Sequence, residues 1–145
     1  MSNDTLQIRW HGRGGQGAKT AAGMVAEVAV NAGANAQAAP EYGAEREGAP
    51  IKAYTRISED PIRVHDAIYF PNLVVVLDDS LLESEDVEEG LSDDGTLLVN
   101  TKKSPAEIRD LLGREGRTIY TIDARGIAPE EIGRAPPNTV MIRTL

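Results

Sequence analysis

The sequence predicts an α/β fold, a Rossmann-like three-layer sandwich on a mainly parallel sheet, in one domain spanning residues 1–145. Three observations carry that expectation. A period-two strand pattern runs into a glycine cluster and then into an alanine-rich helix. The continuous apolar run Leu73-Val74-Val75-Val76-Leu77 has the pattern of a central parallel strand covered on both faces. Short strands and helices then alternate, the order of a sheet with helices packed on it.

Each element has its own signal. Leu6, Ile8 and Trp10 alternate with Gln7 and Arg9, which suits a strand. Residues Ala18 to Ala32 form the first helix, with Gly33 placed as its C-terminal glycine. Its polar positions Thr20, Glu27 and Asn31 share one narrow stripe with Gly23, so the helix is expected to be buried on most sides, against the sheet and against a further body such as another subunit. Asn35 to Ala39 reads as a strand ended by Pro40, and Ile51 to Ile57 as another. Glu41 to Pro50, between them, is a charged and glycine-rich loop. Leu97-Leu98-Val99 repeats the buried-strand pattern. Ser104-Pro105-Ala106-Glu107 is a capping box with proline at the first helical position. Thr118 to Ile122 is the last clear strand, and Pro129 opens a short helical turn before Pro136-Pro137.

Composition excludes several chemistries. The chain has no cysteine, hence no disulfide, no thiolate nucleophile and no thiolate ligand for zinc or an iron–sulfur cluster. With two histidines, His11 and His65, a histidine-rich metal site is not expected. No apolar run is long enough to span a bilayer, and Met1-Ser2-Asn3-Asp4 lacks the basic and apolar regions of a signal peptide, so a cytoplasmic protein without membrane contact is expected. Net charge is −8, and nine of the 23 acids lie between Asp78 and Gly95, where there is no base. Such a patch repels phosphates and argues against nucleic acid. It reads as a solvated helix with its loops, or as a docking face for a basic partner.

The most informative stretch is His11-Gly12-Arg13-Gly14-Gly15-Gln16-Gly17. Gly12, Gly14 and Gly17 match G-x-G-x-x-G between a strand and a helix, the context of a phosphate-binding turn. Glycines let the backbone approach a ligand, and N–H groups at the helix start face an anion. A P-loop is excluded because Ala18, not lysine, follows Gly17. An NAD site is disfavoured because the second strand offers Asn35 and Gln37 but no acid before Glu41. Two readings stay open: an anion contact backed by Arg13 and Lys19, or a turn that lets the first helix pack closely. His11 reads as a structural histidine, and Trp10 and Tyr54 as core residues.

This loop, the alanine-rich helix, Pro40-Glu41-Tyr42-Gly43, Glu45-Arg46 and Gly48-Ala49-Pro50 together resemble the gamma subunit of 2-oxoacid:ferredoxin oxidoreductases, of which the pyruvate enzyme is the best known. Ile51-Lys52, Arg56-Ile57-Ser58, Pro61-Ile62-Arg63, Leu73 to Asp78, Val99-Asn100 and Pro137-Asn138-Thr139-Val140-Met141 extend the likeness over essentially the whole chain. Ala44 and Glu47 depart from the family's frequent residues, and family members usually continue for a few more helical segments. The resemblance implies one subunit of a complex that decarboxylates a 2-oxoacid oxidatively to acyl-coenzyme A and CO2, passing electrons to ferredoxin or a related acceptor. Thiamine diphosphate, magnesium and [4Fe–4S] clusters would sit on thiamine-binding and iron–sulfur partner subunits. This chain would carry no catalytic residue and no metal ligand. Its glycine loop gains a ligand under that reading, the phosphates of coenzyme A, with Gly12, Arg13, Gly14, Gly15, Gln16, Gly17 and Lys19 as contacts. Asn100, Thr101, Lys102 and Lys103, after a strand's carboxyl end, form a second candidate. Glu41, Tyr42, Glu45 and Arg46 are candidates for subunit contact. The alternative is a free-standing Rossmann-type nucleotide-binding protein.

Overall fold

The computed structural model describes residues 5–41, 46–113 and 117–123. Six strands form one sheet: β1 (Leu6–Arg13), β2 (Asn35–Pro40), β3 (Pro50–Ser58), β4 (Leu73–Val76), β5 (Thr96–Asn100) and β6 (Thr118–Ile122). Three helices accompany them: α1 (Ala18–Asn31), α2 (Leu81–Ser84) and α3 (Pro105–Leu112). The strand order is β2-β3-β1-β4-β5-β6. β1, β4, β5 and β6 run parallel, and β3 is antiparallel to both β1 and β2. The sheet is thus mainly parallel, as expected, with one inserted antiparallel strand. That insertion holds β2, the strand after α1, two places away from β1.

The two faces carry separate cores. On one, α1 covers Ile8, Trp10, Ala53, Val75 and Leu98 with Ala18, Ala21 and Ala22. Alanines at this contact let the helix lie close to the sheet. The Trp10 indole N–H donates to Thr55 Oγ1 at 3.0 Å, and that hydroxyl donates to the Ala22 carbonyl at 2.9 Å, which ties β1, β3 and α1 together. On the other face, Leu81 and Leu82 of α2, then Val87, Leu91 and Ile108, pack on Val74, Val76, Leu97 and Val99. These are the three layers the sequence predicts.

Local signals hold. Gly33 follows α1 with φ 99°. Ser104 and Glu107 form the expected capping box, Pro105 begins α3, and Gly113 ends it with φ 70°. Pro40 closes β2 on the sheet edge, where its missing N–H is tolerated.

Within this chain α1 is buried on its sheet side, and Met24, Val28 and Val30 are exposed, which leaves them open to the further body expected there. Arg9 and His11 of β1 are buried on the second face. One reading changes. The acidic stretch contains only a four-residue helix, α2, and one of its acids, Glu88, is buried. The turn at Pro129, Pro136-Pro137 and the Pro137 to Met141 segment lie outside the described residues.

Candidate functional site

The carboxyl ends of β1, β4 and β5 converge on one edge of the sheet, and the two candidate segments meet there. Their common element is Asp78, just beyond β4. Gln16 closes the glycine loop from within: its Oε1 accepts from the Arg13 N–H at 2.8 Å, and its Nε2 donates to Asp78 Oδ2 at 2.8 Å. The Arg13 guanidinium donates to Ser80 Oγ at 2.9 Å and to the Gly48 carbonyl at 3.1 Å, and lies 3.5 Å from Asp78 Oδ2. Ser80 in turn donates its hydroxyl (2.6 Å) and its N–H (3.0 Å) to Asp78 Oδ1. Burial works against the Asp78 charge. The hydrogen bonds from Ser80 and Gln16, with Arg13 nearby, outweigh it and hold the carboxyl below its ordinary value of 3.8. Arg13 and Gln16 therefore have internal partners and build the loop's shape.

The glycines serve different ends. At Gly12 an added Cβ would stand 3.3 Å from Leu77 Cδ1 and 3.6 Å from Ala18 Cβ, so that glycine lets the loop lie against the end of β4 beside the first residue of α1. Gly15 and Gly17 turn the chain with φ 91° and 87°. Gly14 faces protein backbone. Its N–H donates to the Ala49 carbonyl at 2.8 Å, its carbonyl accepts from the Gly48 N–H at 3.1 Å, and a Cβ would lie 2.0 Å from the Arg46 carbonyl oxygen. Gly14→Ala is therefore expected to cost about 1–3 kcal/mol by overpacking. Gly23→Ala, where a Cβ meets nothing within 4 Å in the middle of α1, should stabilise the chain by about 0.5–1 kcal/mol. Thermal unfolding of the two variants checks the contrast, and equal melting temperatures would remove the backbone contact from the account.

The second segment lines a cavity of about 240 Å³ with Asp78, Asn100, Thr101, Lys102, Lys103 and Asp123. Asn100 Nδ2 donates to the Leu77 carbonyl at 3.0 Å, which locks the ends of β4 and β5 together. The Thr101 hydroxyl donates to Asp79 Oδ2 at 2.7 Å and accepts from the Lys103 N–H at 3.2 Å. Lys102 and Lys103 are exposed at the cavity rim, and Lys19 is exposed in the first turn of α1. That helix starts at Gly17 with no side-chain cap and no acid in its first turn. The cavity is thus lined by two lysines and by three acids, Asp78, Asp79 and Asp123, and the start of α1 is not part of its wall. Among the described residues, no group of three or more metal-ligating side chains comes together.

Asp78 was not a candidate on sequence grounds, and neither was Ser80. The signal existed: an acid directly after the central apolar run stands where ligands of a parallel sheet collect. His11 is structural, buried and accepting from Arg9 Nε at 2.9 Å. Trp10 is core, whereas Tyr54, also buried, lines a recess on the second face. Glu41 and Arg46 are exposed, while Tyr42 and Glu45 lie outside the described residues.

The family model for pyruvate ferredoxin/flavodoxin oxidoreductase matches residues 7–145. The chain belongs to the pyruvate ferredoxin/flavodoxin oxidoreductase family. Within that family, pyruvate synthase subunit PorC of Thermotoga maritima is 52% identical over 140 residues, which is 97% of this chain and 72% of the relative. The gamma subunit common to pyruvate and ketoisovalerate oxidoreductases of Pyrococcus abyssi is 50% identical over 137 residues, 94% of this chain and 74% of the relative. The crystal structure of the Thermotoga maritima pyruvate oxidoreductase subunit superposes with a TM-score of 0.83 at 48% identity, covering 97% of this chain and 74% of that one. The relatives are subunits of oxidoreductase complexes, and the resemblance read from the glycine loop and Pro40-Glu41-Tyr42-Gly43 is borne out. A free-standing nucleotide-binding protein is not favoured. Among the described residues, no helix is long and apolar enough to cross a membrane.

Proposed function

We propose that this chain is the gamma subunit of a multi-subunit, thiamine diphosphate-dependent 2-oxoacid oxidoreductase, and that it contributes subunit contacts and part of the coenzyme A site. The complex would decarboxylate a 2-oxoacid, transfer the acyl group to coenzyme A and release electrons through [4Fe–4S] clusters to ferredoxin or a related acceptor. The observation that carries the subunit role is the match in sequence and shape to such subunits along 97% of the chain. Thiamine diphosphate, magnesium and the clusters belong to partner subunits in this reading. A chain without cysteine offers no thiolate to a cluster. The assembly works in the cytoplasm, with neither nucleic acid nor membrane as partner.

The coenzyme A contribution rests on the cavity at the strand ends. Arg13, Gln16 and the Gly14 N–H have partners inside the protein, so their part is to fix the loop. Gly12, Gly14 and Gly17 give that loop its close packing and its turn. The phosphate contacts in this reading are Gly15 and the start of α1 with Lys19 on the loop, and Asn100, Lys102 and Lys103 at the cavity beyond β5. Backbone N–H groups at the helix start and the lysine ammonium groups are both donors suited to the phosphates of coenzyme A.

Two measurements test this. A tag on this chain, used for anaerobic purification, should bring down a brown assembly containing cysteine-bearing and thiamine-binding subunits. A colourless chain without partners would defeat the subunit reading. In the intact complex, Lys102→Ala with Lys103→Ala should raise the Michaelis constant for coenzyme A about tenfold, the loss expected for charge-assisted contacts, at unchanged cluster absorbance. An unchanged constant would remove this cavity from the coenzyme A site. Gly14→Asp is a poorer probe, because its side chain meets backbone before it meets any ligand.

A further inference from the structure

A second polar recess lies on the face of the sheet opposite α1, away from the glycine loop. It encloses about 530 Å³, with Arg9 of β1 and Lys52 and Tyr54 of β3 on its floor. Tyr69 and Phe70, just before β4, wall it with rings that are 64% and 75% exposed. Glu41 and Glu89 also line it.

Arg9 is the unusual group. It is only 4% exposed. Its Nε donates to His11 Nε2 at 2.9 Å, and its Nη2 donates to the carbonyls of Val87 and Glu89 at 3.0 and 2.6 Å. All three acceptors are uncharged, because His11 is held neutral: burial, then the charges of Arg9 and Lys52, lower its pKa to about 3. No carboxylate among the described residues lies within 4.0 Å of the Arg9 guanidinium. Glu89 and Asp86 act on the guanidinium from beyond contact distance, and burial outweighs them and lowers its pKa, so this buried cation has no carboxylate in contact where buried charges are normally paired. The three bonds fix the guanidinium, and no hydrogen bond from Nη1 is among them. Register places the neighbouring donors: Tyr54 stands across from Arg9, and Lys52 across from His11. Burial and Glu41 push the Tyr54 hydroxyl up from its ordinary pKa, which keeps it a donor.

We propose that this recess is a carboxylate-binding site, in which Arg9, Lys52 and Tyr54 hold the carboxylate and Tyr69 and Phe70 cover the apolar group that bears it. The lining itself selects against phosphate. Two acids balance the two cations, so the recess has little long-range field with which to concentrate a dianion. Short-range donors and two ring faces suit a single negative charge on an apolar body. That chemistry has two sources, a free organic acid or an Asp or Glu side chain of a neighbouring subunit. The second source rests on the subunit reading above; the first does not.

The experiment is a nuclear magnetic resonance titration of the full chain with phenylacetate, with benzylamine and inorganic phosphate as controls. Phenylacetate should shift the Arg9, Tyr54 and Tyr69 resonances saturably, and the controls should not. Lys52→Ala should weaken binding about tenfold, as for one charge-assisted hydrogen bond, and Lys52→Arg should restore it. Arg9 itself is a poor target, since its loss also releases the loop at Val87 and Glu89. The same titration on the assembled complex separates the sources. Continued phenylacetate binding identifies a free acid. Lost binding, with fewer partner subunits recovered through Lys52→Ala, identifies a subunit carboxylate. The proposal is overturned if benzylamine binds as well as phenylacetate, if Lys52→Ala leaves phenylacetate affinity unchanged, or if phenylacetate does not bind the free chain and Lys52→Ala leaves assembly intact. A chain that never recovers partners defeats the subunit reading while leaving the phenylacetate result standing.

Discussion

Glu88→Ala is expected to lower the stability of the chain by about 3–5 kcal/mol, a large share of the roughly 5–15 kcal/mol that holds a domain together. Glu88 and Arg117 are each 6% exposed. One Arg117 nitrogen bonds Glu88 Oε2, the other donates to the Leu91 carbonyl at 2.6 Å, and the Arg117 carbonyl accepts from Arg109 at 3.1 Å. The Arg117 guanidinium thus fastens the acidic segment to the start of β6, and the Arg109 guanidinium ties that same point to α3. Removing the carboxylate leaves that cation buried without a counter-ion, and this uncompensated charge, rather than the net worth of the pair, sets the size of the loss. The double variant Glu88→Ala with Arg117→Leu should recover much of it. Asp93→Ala, at an exposed acid, should change stability by no more than about 0.5 kcal/mol. Urea unfolding of the three variants decides. A Glu88→Ala cost no larger than that of Asp93→Ala would mean the pair is not buried in solution.

The residues that were legible in the sequence are those whose role is local. The Ser104 box and Gly33 act within a few residues of themselves, and the structure places both as read. The run Leu73 to Leu77 states its own burial, because a strand covered on both faces has no polar positions to alternate. What the sequence did not disclose is pairing. The alternation of β3 is the same whether it sits at an edge or between β2 and β1, and that insertion separates β2 from the glycine loop. A ribose-binding acid after β2 would therefore be two strands from β1, which gives the missing acid a topological reason. Arg9 and Glu88 were illegible for a related cause. A charged residue reads as exposed unless its partner is known, and their partners lie 78 to 80 and 29 residues away. The loop reads in halves. Its glycines marked the right strand–helix junction, but the ligand-facing reading of Gly14 missed the Arg46 to Ala49 backbone that approaches it.

Acid should weaken the fold through His11 before it does so through the carboxylates. His11 is 2% exposed and accepts a hydrogen bond from the Arg9 guanidinium, so it has no place for a second proton. Burial, reinforced by Arg9 and Lys52, lowers its pKa from 6.5 to about 3. Between those values the unfolded chain binds a proton that the folded chain does not, and stability there rises with pH. The contribution is complete above about pH 6.5 and is lost as pH falls towards 3, a loss of a few kcal/mol at about 1.4 kcal/mol per pH unit. Asp78 acts in the same direction in a lower window, since its depressed pKa removes stability only below the ordinary carboxyl value of 3.8. Urea unfolding measured from about pH 7 to pH 4.5 therefore isolates the histidine. His11→Gln retains an acceptor for Arg9 and cannot titrate, so it should flatten the slope in that interval. Asp78→Asn should leave the slope as it is. A wild-type stability that is level across the interval would mean that His11 is not buried as a neutral acceptor. Arg9 would then lack the fixed geometry on which the second recess depends.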